Sequence, residues 1–73
     1  MSLEVEHRDL FSDIVNQIYD GKITQATVGQ VNYALENIAS SKPGLKLTPS
    51  YEKLNHLLLR VAGGATLKRP TQN

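Results

Sequence analysis

The sequence contains no cysteine and no tryptophan among its 73 residues. The first absence excludes a disulfide framework, a cysteine-based metal site and a thiol nucleophile. Long hydrophobic runs are also missing, because the longest uninterrupted apolar stretch is residues 57–59, far short of the ~20 residues of a membrane helix. Residues 1–9 are charged and lack the apolar centre of a signal peptide. We therefore expect a cytoplasmic, intracellular protein without membrane contact.

The short length limits the chain to one domain, which excludes a two-domain enzyme, a Rossmann sheet and a barrel. Leu, Ile, Val and Phe make up 20 of the 73 residues, above the range of disordered chains, so folding is expected. In a domain of ~60 residues the free energy of apolar burial barely exceeds the cost of ordering the chain. Without a disulfide, self-association is the remaining source of stability, and we expect a homodimer.

Charge is distributed unevenly along a chain whose net charge is +1. Residues 1–41 contain six acidic and two basic side chains, a net charge of −4, whereas residues 42–73 contain one acidic and six basic side chains, a net charge of +5. Such asymmetry is typical of a basic end that meets a polyanion or an acidic partner. The alternative is that the halves neutralise each other, within one chain or between two subunits.

Apolar periodicity predicts a first helix over about residues 4–20. Its apolar residues share one side at helical spacing, namely Leu10, Phe11, Ile14, Val15 and Ile18. Gly21 follows Asp20 and is predicted to end the helix in the left-handed conformation. The opposite side carries a solvated acidic row made of Glu6, Asp9, Asp13 and Asp20.

A second helix is predicted over about residues 25–40, with Thr24 as its N-cap. Ile23 and Val28 match a hydrophobic staple around that cap. The buried side of this helix is expected to consist of Val28, Val31, Leu35 and Ile38. Pro43 and Gly44 follow and stop the helix. The linker 45–47 alternates apolar and basic residues and is expected to lie extended over the core.

A third helix is predicted over about residues 49–62, with Thr48 as N-cap and Pro49 at its first position. Its core stripe is Tyr51, Leu54, Leu57, Leu58 and Val61, and Gly63-Gly64 ends it. Residues 65–73 are predicted to form a mobile basic tail after a single helical domain, 1–64. The expected fold class is all-α, a three-helix antiparallel arrangement that forms a homodimeric bundle.

The residues of the second and third helices that lie outside the predicted buried sides indicate a protein interface. From Thr24 to Ser41 the only charged residue is Glu36, and low charge with an off-stripe tyrosine is typical of an interface core. We therefore predict an interface made of Gln30, Tyr33, Asn37 and Leu59. The alternatives are an ordinary polar helix face and, for Leu59, a wider buried arc packed against Leu45 and Leu47.

A basic strip on the third helix predicts a different function. Lys53, His56 and Arg60 lie within about 60° of one another when successive residues rotate by about 100°. With Lys68 and Arg69 behind them, these residues can contact the phosphate backbone of a nucleic acid. The alternative is a solvated face, since the calculated isoelectric point of 8.1 is modest for a nucleic-acid-binding domain.

No catalytic, cofactor-binding or metal-binding residues are predicted, and no cofactor is expected. His7 and His56 are far apart in the sequence, and Gly63-Gly64 lacks the Gly-Lys-Ser/Thr core of a phosphate loop. The leading hypothesis is a small non-enzymatic regulatory or adaptor protein that binds another macromolecule through a helical surface, as a homodimer. The second hypothesis is nucleic-acid binding through the basic third helix and the tail.

Overall fold

The computed structural model describes residues 8–70, and within them the regular structure is entirely helical. Helix α1 spans Arg8–Tyr19, α2 spans Val28–Ser41, and α3 spans Pro49–Ala62. A short 3₁₀ helix, Leu45–Leu47, precedes α3. The predicted all-helical class with three helices packed against each other is confirmed. The predicted residues 4–7 of the first helix lie outside the described residues.

Glycine ends α1 and α3 in the same way. Gly21 and Gly64 have φ angles of 77° and 94°, the left-handed region that side chains with a Cβ rarely adopt. At the end of α1 the amide of Lys22 donates to the carbonyl of Gln17, and the amide of Gly21 donates to that of Ile18. This pattern is a Schellman motif, and equivalent bonds close α3. The predicted glycine stops are therefore confirmed.

The start of α2 differs from the prediction. Residues 24–27 form a turn, and the helix begins at Val28 rather than at residue 25. The Thr24 amide donates to Thr27 Oγ1 at 2.9 Å, and the Thr27 amide donates to the Thr24 carbonyl at 3.0 Å. Threonine side chains compete for local backbone groups in this way. Thr27, not Thr24, is the N-cap residue, and its side chain makes no capping hydrogen bond.

The linker 45–47 is not extended as predicted but forms the 3₁₀ helix. The amide of Leu47 donates to the carbonyl of Gly44, and the amide of Thr48 donates to that of Leu45. If this segment were extended across the helices, its backbone amides and carbonyls would have no neighbouring strand to bond with. In a 3₁₀ turn the same groups form hydrogen bonds with each other. As predicted, Thr48 caps α3, because its Oγ1 accepts from the amide of Tyr51 at 3.3 Å.

Helix α3 is the centre of the fold. It packs against α1, α2 and the 3₁₀ helix, and its predicted stripe supplies four of the ten buried hydrophobic side chains. Tyr51 on α3 meets Phe11 on α1 edge-to-face, with ring centroids 6.2 Å apart. The whole core consists of Phe11, Ile18, Ile23, Val28, Leu35, Leu45, Tyr51, Leu54, Leu58 and Val61.

The two leucines of the 3₁₀ helix provide a matched test of this core. Leu45 is fully buried, whereas Leu47 is 86% exposed. We expect Leu45→Ala to lower the free energy of unfolding by about 2–5 kcal/mol, since it removes apolar burial and leaves a cavity. Leu47→Ala should change that free energy by less than about 0.5 kcal/mol. Urea denaturation followed by circular dichroism measures both, and equal losses would contradict the observed orientation of this turn.

Candidate interaction surfaces

The predicted interface residues of the second helix lie on the side of α2 that faces away from the core. Gln30, Tyr33 and Asn37, here called the α2 outer face, are all exposed, and Tyr33 is exposed to 71%. Gly29 lies one turn before Tyr33, and nothing occupies the space around the position of a Cβ there. The α2 outer face is therefore an open, uncharged helix surface with one large aromatic ring.

The one charge of this segment, Glu36, binds within the chain. Lys46 Nζ lies 2.7 Å from Glu36 Oε2, and the Tyr51 hydroxyl donates to Glu36 Oε1 at 3.4 Å. The hydrogen bond from Lys46 is the main cause that lowers the pKa of Glu36, and the same bond raises the pKa of Lys46. Burial, followed by the charge of Glu36, raises the pKa of Tyr51. Glu36 thus connects α2 with the 3₁₀ helix and α3.

The lowered pKa of Glu36 predicts a pH dependence of stability. Between the folded-state and unfolded-state pKa values the unfolded chain binds more protons, so this carboxylate stabilises the fold above its ordinary pKa of 4.5. That contribution is lost as the pH falls through the lower, folded-state value. We expect the urea midpoint of Glu36→Gln to fall less steeply with acidification than that of the wild type.

The size of this effect should be small, because Glu36 and Lys46 are both about half exposed and an exposed ion pair is screened by water and salt. Glu52→Gln is the control, since Glu52 is exposed and has no ion-pair partner within residues 8–70. It removes one exposed carboxylate without breaking an ion pair of the described residues, so it controls for the change of net charge. Identical curves for Glu36→Gln and the wild type would contradict a stabilising role of the Glu36 carboxylate.

The predicted basic strip lies on the solvent side of α3. Lys53, His56 and Arg60 are exposed, and within residues 8–70 none of them has a hydrogen bond or an ion pair through its side chain. Leu59 lies beside them and is 58% exposed. These four residues are here called the α3 outer face. The exposure of Leu59 shows that it does not belong to a buried arc against the 3₁₀ helix.

An open groove of about 260 Å³ adjoins the N-terminal half of the α3 outer face. Leu47 and Pro49 form its apolar side, and Lys53 and His56 form its basic side, with Glu52 between them. The groove exists because the 3₁₀ turn directs Leu45 into the core and Leu47 away from it. Sequence reasoning placed Leu47 over the core and therefore missed this groove.

The tail residues of the predicted basic set have different surroundings. Lys68 is exposed, but Arg69 binds the C-terminal end of α1. Its guanidinium donates to Asp20 Oδ1 at 2.8 Å and to Asn16 Oδ1 at 3.1 Å, and it lies 5.7 Å from the centroid of the Tyr19 ring. The structure therefore does not bring Arg69 together with the strip on α3. No local pattern in the sequence indicates this pairing.

A second cavity, of about 380 Å³, lies between the C-terminal ends of α1 and α3. Ile18, Val61 and Leu67 contribute its apolar lining, and the turn after α1 closes one side. The Gln25 side chain donates to the Ala62 carbonyl at 2.9 Å and thereby caps α3. The residues around this cavity include no histidine, and within residues 8–70 no three His, Asp or Glu side chains are grouped closely enough to hold a metal ion.

Comparison with known proteins adds no family to this description. The chain matches no protein-family model, no curated protein and no solved structure. Within the described part of the chain, no helix combines the length and the apolar character that crossing a membrane requires. His7, one of the two histidines considered above, lies outside the described residues. The exposed faces of α2 and α3 are the features on which a function can be proposed.

Proposed function

We propose that this chain is a small, non-enzymatic, cytoplasmic regulatory or adaptor protein that acts as a homodimer and binds another macromolecule through its helical surface. The observation that supports this most is Tyr33, which is 71% exposed on an uncharged helix face. Tyrosine is enriched in the cores of protein interfaces, and charged residues are depleted there. The one charged residue of α2, Glu36, is paired with Lys46, so α2 carries no unpaired charge beside the α2 outer face.

The thin shape of the molecule also favours self-association. It measures 33 × 32 × 15 Å, and its core contains ten buried hydrophobic side chains. A chain of this size buries a small share of its apolar surface by itself. Tyrosine is one of the side chains that dominate the energetics of interfaces, and Tyr33 still exposes 71% of its surface. A contact between two α2 outer faces would bury two such rings.

The other predicted residues have supporting roles in this proposal. Gln30 and Asn37 flank Tyr33 and can exchange amide hydrogen bonds at the rim of the contact. In a twofold dimer, the same surface of the two subunits forms the contact. Because the α2 outer face is uncharged, two copies of it can pack together without like-charge repulsion. Leu59 on α3 adds exposed apolar surface to the contact with the other macromolecule.

The proposed homodimer predicts a change in solution mass. We expect the wild type to have the mass of a dimer in light scattering, and Tyr33→Asp to shift the mass towards that of a monomer, because it would bury a carboxylate in an apolar contact. Leu59→Asp should keep the dimer mass, because Leu59 belongs to the α3 outer face, and should instead weaken binding of the other macromolecule. Ser12→Asp on the exposed side of α1 is the control and should keep the wild-type mass. Unchanged mass and unchanged stability in Tyr33→Asp would contradict the assignment of the α2 outer face to the homodimer.

Nucleic-acid binding is a second candidate, and the cations of the α3 outer face, which have no ion-pair partner in the described part of the chain, favour it. Lys53 and Arg60 are two turns apart on one exposed side of α3, about 10 Å along the axis. Two cations at this distance can contact phosphates of one backbone. Lys68 could add a contact, whereas Arg69 would first have to leave Asp20.

This candidate predicts binding that weakens steeply with salt. If the wild type binds a short DNA duplex, Lys53→Ala combined with Arg60→Ala should weaken binding and reduce the slope of log affinity against log salt by roughly two, one for each lost phosphate contact. Fluorescence anisotropy at several salt concentrations measures both quantities. Equal affinity and equal slope in the double variant would contradict a role for these cations.

A further inference from the structure

Two exposed leucines accompany the cations on the solvent side of α3. Leu47, at the end of the groove, is 86% exposed, and Leu59 is 58% exposed. Successive residues of α3 rotate by about 100°, so the pair Glu52 and Leu59 and the pair Lys53 and Arg60 form two rows about 100° apart. His56 lies between the two rows. The side therefore offers an apolar contact at each end and a row of basic side chains beside them.

We propose that the groove and the α3 outer face bind an acidic amphipathic helix of another protein. Its leucines would contact Leu47 and Leu59, and its carboxylates would pair with Lys53 and Arg60. This inference rests on the proposed function, because it names the class of partner that the adaptor binds. Amphipathic helices bind apolar grooves through residues spaced by three, four and seven positions. Charge complementarity sets their orientation and association rate.

A second copy of this chain fits the α3 outer face less well. Within residues 8–70 the large apolar side chains that are exposed are Tyr33, Leu47 and Leu59. If two α3 outer faces met, Lys53 and Arg60 of both copies would repel one another. The α2 outer face offers Tyr33 but no carboxylate. Among residues 8–70, no exposed leucine lies beside the exposed carboxylates Asp9 and Asp13 of α1, because the apolar side of this helix packs against the core.

A nucleic acid also fits this side less well than an acidic helix. A phosphate backbone pairs with cations but leaves Leu47 and Leu59 in water. The Glu52 carboxylate lies in the groove next to Lys53 and repels a continuous row of phosphates. Carboxylates on a helix can be spaced to reach Lys53 and Arg60 while leaving Glu52 uncontacted. The combination of exposed leucine and exposed cation therefore favours a protein partner.

The test uses the full chain and two designed peptides. One is a helical peptide with leucines repeated along one face over more than three turns, because Leu47 and Leu59 are twelve positions apart. It carries glutamates seven residues apart in the adjacent row, and the other peptide has lysines in place of those glutamates. Each is titrated into the ¹⁵N-labelled chain, and amide shifts are followed by NMR. We expect the glutamate peptide to shift Leu47, Lys53, His56 and Leu59, and the lysine peptide to leave them unchanged. A short DNA duplex is titrated in parallel.

Matched variants separate position from net charge. Lys53→Glu with Arg60→Glu should weaken binding of the glutamate peptide at least about tenfold, since each replaces an attraction with a repulsion. Lys22→Glu with Lys68→Glu changes the net charge equally at exposed positions away from α3 and should keep most of the affinity. Leu47→Ser with Leu59→Ser should also weaken binding, because it removes both apolar contacts.

Three results would overturn the proposal. The first is equal binding of the two peptides, and the second is the absence of amide shifts on the α3 outer face with the glutamate peptide. The third is stronger shifts of the same residues with the DNA duplex, which would assign this side of α3 to nucleic acid. The proposed homodimer is tested separately by the mass of Tyr33→Asp. A Tyr33→Asp variant that is monomeric and still binds the glutamate peptide supports both the homodimer and the acidic-helix site. An unchanged mass of Tyr33→Asp contradicts the homodimer alone.

Discussion

The burial of one side of α3 is the interaction on which the other elements depend. Tyr51, Leu54, Leu58 and Val61 are buried there, and α1, α2 and the 3₁₀ helix all pack against this helix. Leu45 is drawn into the same core and is fully buried. A single layer of helices around α3 leaves its other side in water. The side that carries Lys53, His56, Leu59 and Arg60 is thus a consequence of how the core is built.

The fold uses some of its charges internally and leaves others free. Lys46 binds Glu36 and Arg69 binds Asp20, so each of these basic residues meets an acid from the acidic half of the chain. The two halves therefore neutralise each other in part, as one interpretation of the uneven charge predicted. Lys53 and Arg60 are not neutralised within residues 8–70, because no acid of α1 or α2 extends to the solvent side of α3. These cations and the exposed leucines beside them form the surface that we propose for an acidic helix.

Much of the fold could be predicted from local rules. Apolar spacing indicated three helices and their buried sides, Thr48 and Pro49 marked the start of α3, and glycine ended α1 and α3. Errors arose where local signals were ambiguous. Thr24 and Thr27 both suit an N-cap, and their hydrogen bonds to each other moved the start of α2. Alternation over residues 45–47 resembles a strand, but a single segment without a strand partner satisfies its backbone in a 3₁₀ turn.

By itself the sequence determined the helices, most of the core and the uncharged character of the side that carries Tyr33, because helix periodicity and capping depend on residues a few positions apart. Tertiary structure alone decided which charges remain free and where the groove lies. Arg69 meets Asp20 across 49 positions of the chain, and Gln25 meets Ala62 across 37. Leu45 and Leu47 are alike in sequence terms, yet packing against α3 buries the first and exposes the second. Contacts between distant residues decide such outcomes, and they leave no periodic pattern in the sequence.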